Sequence, residues 1–269
     1  MRMICLILAI LMLQHQQAKA WGSEGHSIVA EIAQRNLTPA ARARIAELFP
    51  NGASAASLAF WADDIRDTLE ESTNWHFVDI PLNQTNYDEN RDCPATPKGD
   101  CVIKAIERMK ETLADSSAPV DTRREALKFL VHFVGDLHQP LHTVDDFFGG
   151  TAFHVTFFVN VPRKVKVPTT LHWIWDTGLI RASFRGWESY LDFLEDKWLL
   201  GRNVDELTRG TTVEWALDAH QIAIDVAFAS ITTGSELGEE YLERARPHLD
   251  RQLAVAGLRL ARILNESLK

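Results

Sequence analysis

The chain has 269 residues, 46% of them hydrophobic and 24% charged, so it is long enough to bury the core of one large domain or two small ones. Its formal net charge of -9 argues against a nucleic-acid binder that relies on a surface rich in lysine and arginine. A polyanionic ligand would therefore need another source of positive charge.

Residues 1–20 have the pattern of a cleaved secretory signal peptide. Arg2 gives a positive start, and the apolar run at 4–13 is shorter than the roughly 20 residues that a membrane-spanning helix needs. Ala18-Lys19-Ala20 has the small residues of a cleavage site, which predicts Trp21 as the first mature residue. We expect a secreted protein, periplasmic or extracellular, without stable membrane association. A membrane anchor, or cleavage a few residues away, is the alternative.

Apolar residues at helical spacing predict a single, mostly α-helical domain over residues 21–269. An N-cap at Asp121 and a stop at Pro140 bound one long helix, and Pro247 is expected to kink or divide the last one. The alternating segment 153–167 predicts a β-hairpin. The fold class is therefore all-α with one small β-hairpin. The predicted helices span 27–36, 39–48, 55–67, 101–114, 121–139, 211–231 and 237–268.

Cys93 and Cys101 lie eight residues apart in a segment rich in proline, glycine and aspartate. In a secreted chain this spacing predicts one local disulfide. A zinc thiolate site is the weaker alternative, because the spacing fits no zinc-knuckle pattern.

Histidine and aspartate recur together along the chain. His132 and Asp136 are four residues apart, so they share one face of a helix, and His172 and Asp176 repeat this spacing. Imidazole and carboxylate without a free thiol form the ligand set of zinc in hydrolytic sites. Eight such side chains exceed the needs of one ion, which predicts several bridged ions. The full candidate set is His26, Asp63 or Asp64, His76, His132, Asp136, His142, His172 and Asp176.

The other histidines have a plainer interpretation. One His-x-x-x-Asp pair is usually an ordinary hydrogen-bonded pair, and only the repetition favours metal ligation. His154, His220 and His248 have no paired carboxylate and are assigned to packing or surface. His138 stays open, either as a core residue or as one that orients a ligand.

Five motifs in this order resemble the S1/P1 family of zinc-dependent single-strand nucleases, also called class I nucleases or 3'-nucleotidases. They are WGSEGH, WADDIR, WHFVD, HFVGDLHQPLH and LHWIWD, and they run from Trp21 to Asp176, with a looser likeness in WALDAHQIAIDVA. The resemblance implies a mainly α-helical fold shared with zinc-dependent phospholipase C, and three zinc ions per chain. It also implies a substrate of single-stranded DNA and RNA, or 3'-nucleotides, and we expect a monomer.

The resemblance also implies a role for each matching residue. It favours Asp63 over Asp64 as the acid of WADDIR. Arg66 would lie near the scissile phosphate, and Phe77 and Asp79 would stack on and hydrogen-bond a nucleobase. The implied ligands are Asp63, His76, His132 and Asp136 for the first zinc; His142, His172 and Asp176 for the second; and the amine and carbonyl of Trp21, with His26 and the bridging Asp136, for the third.

The implied reaction is hydrolysis to 5'-phosphate products. As a hypothesis, a hydroxide between the first two ions attacks phosphorus, Asp63 helps to orient it, and Arg66 stabilises the developing charge. Three zinc ions carry six positive charges, and three aspartates neutralise half of them. The cleft would therefore stay cationic inside an acidic protein. The alternatives are a zinc-dependent phospholipase C and a secreted zinc-binding protein without catalysis.

Four residues, at three places in the sequence, depart from the family's usual pattern without removing a ligand. Thr151 and Thr170 stand where the family usually has asparagine, and Phe147-Phe148 replaces a more polar stretch. These departures are expected to affect how the base and the strand are held.

Overall fold

The structure, a computed structural model, describes residues 21–160, 164–183 and 186–269. The predicted signal peptide and its cleavage site lie outside this part of the chain. The first half contains α1 (Ser23–Arg35), α2 (Pro39–Leu48), α3 (Ala55–Leu58), α4 (Trp61–Ile65), a 3₁₀ turn (Glu70–His76), α5 (Glu89–Asp92), α6 (Val102–Ala114) and α7 (Val120–Leu137).

The second half is also mainly helical, which confirms the predicted fold class. Three π-helical turns lie at Ile174–Gly178, Leu194–Trp198 and Ala223–Ala227. The other elements are a 3₁₀ turn (Pro140–Thr143), α8 (Phe147–Gly150), β1 (His154–Asn160), β2 (Lys164–Thr170), α9 (Leu171–Trp173), α10 (Leu179–Ser183), α11 (Trp187–Phe193), α12 (Val204–Leu207), α13 (Thr212–Ile222), β3 (Glu236–Leu237) and α14 (Glu239–Ser267).

One predicted helix, 55–67, is wrong as a continuous element. The structure divides it into α3 and α4, with a break at Ala59 and Phe60. The carbonyl oxygen of Ala59 accepts a hydrogen bond from the ring of His132 at 2.6 Å. At this break, regular helix is replaced by a conformation in which the carbonyl of Ala59 holds the ring of His132, a histidine of the candidate site.

Two further details concern α7 and α14: the predicted N-cap at Asp121 is wrong, and of the two outcomes expected at Pro247 division of the helix does not occur, while a kink stays a prediction. Pro119 takes the N-cap position of α7, while Asp121 lies in the first turn and accepts a hydrogen bond from Arg124 at 2.6 Å. Pro247 does not divide α14, which continues through it. Buried residues on both sides, among them Leu242 and Leu249, hold the two halves of α14 against the same core.

The predicted hairpin is present as the antiparallel pair of β1 and β2, with His154 opposite Thr170. Its turn at 161–163 lies outside the described residues. A third strand, β3, was not predicted; it pairs in parallel with β1 at Thr156 and Phe157, which makes the order β2-β1-β3. Two residues are too few to show an alternating pattern in the sequence.

Helices α1, α7 and α14 form the centre of the fold, with α1 packed on α14 and α6 packed on α7. Gly257 allows α14 to approach α1 closely, since a Cβ at this position would lie 2.5 Å from the Cβ of Ile32 on α1. This crossing brings α1 and α7 together, and both helices carry residues of the candidate site.

The cysteines are paired as predicted, because Cys93 and Cys101 form a disulfide between the end of α5 and the start of α6. Both are buried and unavailable as thiolate ligands. Among the described residues, no helix combines the length and the apolar character that crossing a membrane requires.

We expect Gly257→Ala to lower the free energy of unfolding by about 1–3 kcal/mol, because the added methyl group must displace the branched side chain of Ile32. Gly238→Ala, at the N-cap of α14, is the control. Its Cβ would meet only Phe158, at 3.9 Å, so its cost should stay below about 1 kcal/mol. Urea denaturation measures both, and equal costs would contradict the close crossing of α1 and α14.

Candidate metal centre and cleft

Three groups of histidine and aspartate side chains could each hold a metal ion. Within each group the candidate ligand atoms lie within 4.8 Å of one another, and nearly all of these residues are buried. The groups are His26, His132 and Asp136; Asp63, His76 and His132; and His142, His172 and Asp176. The structure therefore brings all eight side chains of the predicted set into close groups, with Asp63 rather than Asp64 among them.

Asp136 connects the first two groups. Its Oδ1 lies 3.3 Å from Nε2 of His26, and its Oδ2 lies 3.0 Å from Nδ1 of His76 and 3.2 Å from Nε2 of His132. Burial alone would raise the pKa of this carboxyl, but the neighbouring histidines, His132 above all, hold the pKa well below its usual value. The carboxylate is thus ionised and surrounded on both oxygens.

Backbone carbonyls fix the orientation of three histidine rings. Nδ1 of His132 faces the carbonyl of Ala59 at 2.6 Å, and Nδ1 of His172 faces that of Gly149 at 2.6 Å. Nδ1 of His142 faces the carbonyl of His76 at 2.9 Å. A carbonyl only accepts, so each Nδ1 carries a proton and each Nε2 is directed into the groups, where the lone pair of a neutral ring could bind a metal ion.

The groups fit a metal ion because their inner atoms lack other partners. Among the described residues, both ring nitrogens of His26, Nε2 of His142 and Nε2 of His172 are buried without a hydrogen bond. Nε2 of His132 and Nδ1 of His76 lie 3.1 Å apart, and both approach Oδ2 of Asp136. Buried polar atoms are normally paired, and a cation between these nitrogens would satisfy them.

The pKa values of the histidines are consistent with groups that lack positive charge. Burial lowers the pKa of His76 to about 4 and that of His142 to about 3, which leaves both rings neutral. Burial would also lower the pKa of His132, but Asp136 and Asp63 outweigh it and raise the pKa to about 9. The carboxylates are therefore negatively charged at a place where most of the histidine rings are neutral and do not balance that charge.

Trp21 is buried beside the first group and is held from two directions. Its indole nitrogen donates to the carbonyl of Gly135 at 2.8 Å, and the next residue, Gly22, donates its N–H to the carbonyl of Asp176 at 2.8 Å. Gly135 also lies under the ring of His26, where a Cβ would come within 2.8 Å of Nδ1. The start of the described chain is therefore built into the candidate centre.

A cleft of about 350 Å³ opens onto two of these groups, since its walls include His76 of the second group and His142 and His172 of the third. Arg66 reaches it from the end of α4, where its guanidinium donates to the carbonyl of Thr73 at 2.9 Å and lies 5.9 Å from the ring centroid of Phe77. Phe77, Asp79, Asp145 and Thr151 also line the cleft. The predicted phosphate-binding and base-binding residues thus share one cavity with the histidines.

Phe148 lines the cleft from a left-handed turn that the sequence did not predict. Its side chain is 81% exposed and lines the same cleft as Phe77. All four residues of α8, from Phe147 to Gly150, have positive φ angles between 53° and 82°, so this element is a left-handed turn. Such a conformation costs about 1–2 kcal/mol for a residue other than glycine. Only the pair Phe147-Phe148 in the sequence hinted at a special feature here.

The remaining histidines lie outside the three groups. His138 is buried between the carbonyl of Val134 at 2.7 Å and the guanidinium of Arg259 at 2.9 Å. Its ring therefore makes its hydrogen bonds within the core rather than to a candidate ligand. His220 lies between the carbonyls of Thr143 and Gln84. His154 is exposed and His248 is partly exposed.

The two threonines that depart from the family pattern have structural partners. Thr170 caps α9, where its hydroxyl accepts from the N–H of Trp173 at 3.2 Å, one residue after His172. Thr151 donates its hydroxyl to the carbonyl of Phe148 at 2.9 Å and so closes the left-handed turn.

Comparison with known proteins gives a consistent set of relatives. Residues 21–269 match the model of the S1/P1 nuclease family. Endonuclease 2 of Arabidopsis thaliana is 33% identical, with 91% of this chain and 89% of that protein aligned. Nuclease P1 of Penicillium citrinum is 32% identical over 91% of this chain and 97% of that protein. Nuclease S1 of Aspergillus oryzae is 30% identical, with 91% of each chain aligned.

We expect Phe148→Gly to raise the free energy of unfolding by up to about 1 kcal/mol, because glycine adopts the left-handed conformation without a Cβ penalty. Phe147→Gly is the matched control in the same turn. It loses the packing of Phe147 on Phe153 and Phe228, at ring distances of 5.0 and 6.1 Å, and should destabilise by about 1 kcal/mol or more. A loss of stability in Phe148→Gly as large as in Phe147→Gly would argue against strain in the turn.

Proposed function

Because the chain belongs to the S1/P1 nuclease family, we propose that this nuclease is a secreted, zinc-dependent enzyme that cleaves single-stranded DNA and RNA to 5'-phosphate products. We propose that it also releases phosphate from 3'-nucleotides. The observation that carries the proposal is the opening of two of the histidine and aspartate groups onto the cleft that holds Arg66, Phe77 and Asp79.

The proposed zinc sites are built on the three groups, with the ligands divided among the ions as the family resemblance implies. His132 belongs to two groups but would bind one ion, whereas Asp136 would be shared by two ions, since its Oδ1 faces His26 and its Oδ2 faces His76 and His132. Zinc bound there would polarise the phosphoryl group and lower the pKa of a water molecule to about 7. The proposed ligands are Asp63, His76, His132 and Asp136; His142, His172 and Asp176; and Trp21, His26 and Asp136.

The chain's own residues would hold the phosphate and exclude bulk water. Arg66 is partly buried in the cleft wall, and the carbonyl of Thr73 accepts from one of its amino groups. A guanidinium remains ionised there, so it would attract a phosphate group and stabilise negative charge that develops on its oxygens. Arg66 is therefore the residue proposed to orient the scissile phosphate.

The aromatic residues of the cleft support a preference for single strands. Phe77 and Phe148 present rings to the cavity, and an unpaired base can use its flat faces to stack on them. A base inside a duplex has both faces and its pairing edge occupied, so it would first have to leave the helix. A cleft of about 350 Å³ suits one such base with its phosphate.

The proposed role of Trp21 depends on removal of residues 1–20. Its α-amino group becomes a ligand only when the preceding peptide bond is cut, and an unperturbed α-amine has a pKa of about 7.7–8.0. The buried indole would place that amine near His26, which belongs to the first group. Export and completion of the metal centre would then be coupled.

We expect removal of zinc by a chelator to reduce cleavage of single-stranded DNA more than about 100-fold, and added zinc to restore it, because the groups that would carry the reaction lose their cations. His172→Ala should bind one zinc fewer than the unmodified chain. His154→Ala, at an exposed position on β1, should keep full metal content and activity. Cleavage that survives complete removal of metal would refute the proposal.

The pKa of Asp79 leads to a second expectation. Partial burial in the cleft wall is the largest cause, and the negative charges of Asp145 and Asp92 add to it, so that the pKa of Asp79 is raised to about 7. One edge of the residue stays exposed. Below that pH the carboxyl both donates and accepts, which matches N1 and the N6 amine of adenine. Above it the carboxylate only accepts, which matches N1–H and the N2 amine of guanine.

We therefore expect the ratio of kcat/KM for ApA to that for GpG to fall between pH 6 and pH 8. Taking the ratio cancels pH effects on the metal centre that both substrates share. Asp79→Asn, whose amide always donates and accepts, should keep the adenine-type ratio at both pH values, whereas Asp64→Asn, at an exposed carboxylate, should behave as the unmodified chain does. An unchanged pH response in Asp79→Asn would exclude Asp79 from base recognition.

A further inference from the structure

Gln139 is a fully buried polar residue whose side chain touches the candidate centre without belonging to any of its three groups. It lies between the end of α7 and the 3₁₀ turn Pro140–Thr143. Both ends of its amide have partners at 2.6 Å. A glutamine is not among the usual zinc ligands, so its position calls for another explanation.

The backbone fixes which way the amide points. Pro140 has no N–H, so Leu141 is the first residue of the turn with an N–H to satisfy, and Oε1 of Gln139 accepts from it at 2.6 Å. The Nε2 end must then face the other way. It donates to Oδ1 of Asp176 at 2.6 Å, across 37 residues of sequence.

Because of this hydrogen bond, the two carboxylate oxygens of Asp176 have different contacts. Oδ1 accepts from Gln139 at 2.6 Å and stays 3.8 Å from Nε2 of His142, whereas Oδ2 lies 3.1 Å from Nε2 of His172. The main-chain carbonyl of Asp176 is also engaged, by the N–H of Gly22 at 2.8 Å. Oδ2 is therefore the carboxylate oxygen that lies closer to the histidines of the third group and has no hydrogen bond to Gln139.

We propose that Gln139 is a positioning residue that makes Asp176 bind metal through Oδ2 alone. A carboxylate free to rotate could bind with both oxygens and fill a coordination position that water or a phosphate oxygen needs. Restriction to one oxygen keeps that position open. The inference rests on the proposed metal role of His142, His172 and Asp176.

Residue chemistry allows the two contacts of Gln139 to be separated. Gln139→Glu keeps an acceptor for the N–H of Leu141 but places a second carboxylate against Asp176. Gln139→Leu removes both contacts. Gln252→Leu is the control, because Gln252 is equally buried and donates to the carbonyl of His138 at 2.9 Å, yet contacts none of the three groups.

The experiment counts zinc by native mass spectrometry during titration with a chelator, on the full mature chain. We expect both Gln139 variants to bind one of the zinc ions about 10–100-fold more weakly, with the other ions unchanged, and Gln252→Leu to match the unmodified chain. In the His172→Ala background, Gln139→Leu should weaken none of the remaining ions further. A change in the d–d absorption of the cobalt(II)-substituted protein should accompany the loss in both Gln139 variants.

The outcomes separate this inference from the proposed function. If His172→Ala removes one zinc but both Gln139 variants retain the original affinity and cobalt spectrum, the positioning role is refuted and the metal site stands. If His172→Ala removes no zinc, the metal role of the third group fails first. Equal weakening of all ions, or equal weakening in Gln252→Leu, would assign Gln139 to general packing instead.

Discussion

The structure depends on one buried carboxylate, that of Asp136. An ionised carboxylate inside the core is costly unless opposite charge and hydrogen-bond donors surround it, and His26, His76 and His132 approach it from three separate elements. α7 must therefore run through the centre of the fold, with α1 on one side and the 3₁₀ turn Glu70–His76 on another. The packing of the helices and the geometry of the centre are consequences of the same requirement.

Precision at the centre comes from the hydrophobic core rather than from loops. Small residues allow the approach: Gly135 lies under the ring of His26, and Gly257 lets α14 meet α1. Backbone carbonyls next to this core, such as that of Ala59, then fix the direction of individual rings. Side chains that carry chemistry on packed helices keep their geometry better than side chains on exposed loops, which suits a candidate centre whose histidine and aspartate groups lie close together.

Local periodicity allowed the sequence to predict the helices, the hairpin and the pairs His132–Asp136 and His172–Asp176, because four-residue spacing acts within one turn. The break at Ala59, the strand β3 and the left-handed turn at Phe148 depend on partners distant in the chain, and no local pattern encodes them. The family resemblance favoured Asp63 over Asp64, a choice that spacing left open. The contact of Gln139 with Asp176 was missed because a buried glutamine has no periodic signature.

The bond between Gly22 and Asp176 joins the start of the described chain to a residue more than halfway along it. The third group cannot form until residues 172 and 176 have been made, and the N–H of Gly22 lacks its acceptor on Asp176 until then. A ribosome-bound or truncated chain ending before this point would carry an incomplete centre. At that stage of synthesis the chain contains the residues of the first two groups but not all of those of the third, so the candidate centre is completed late in synthesis.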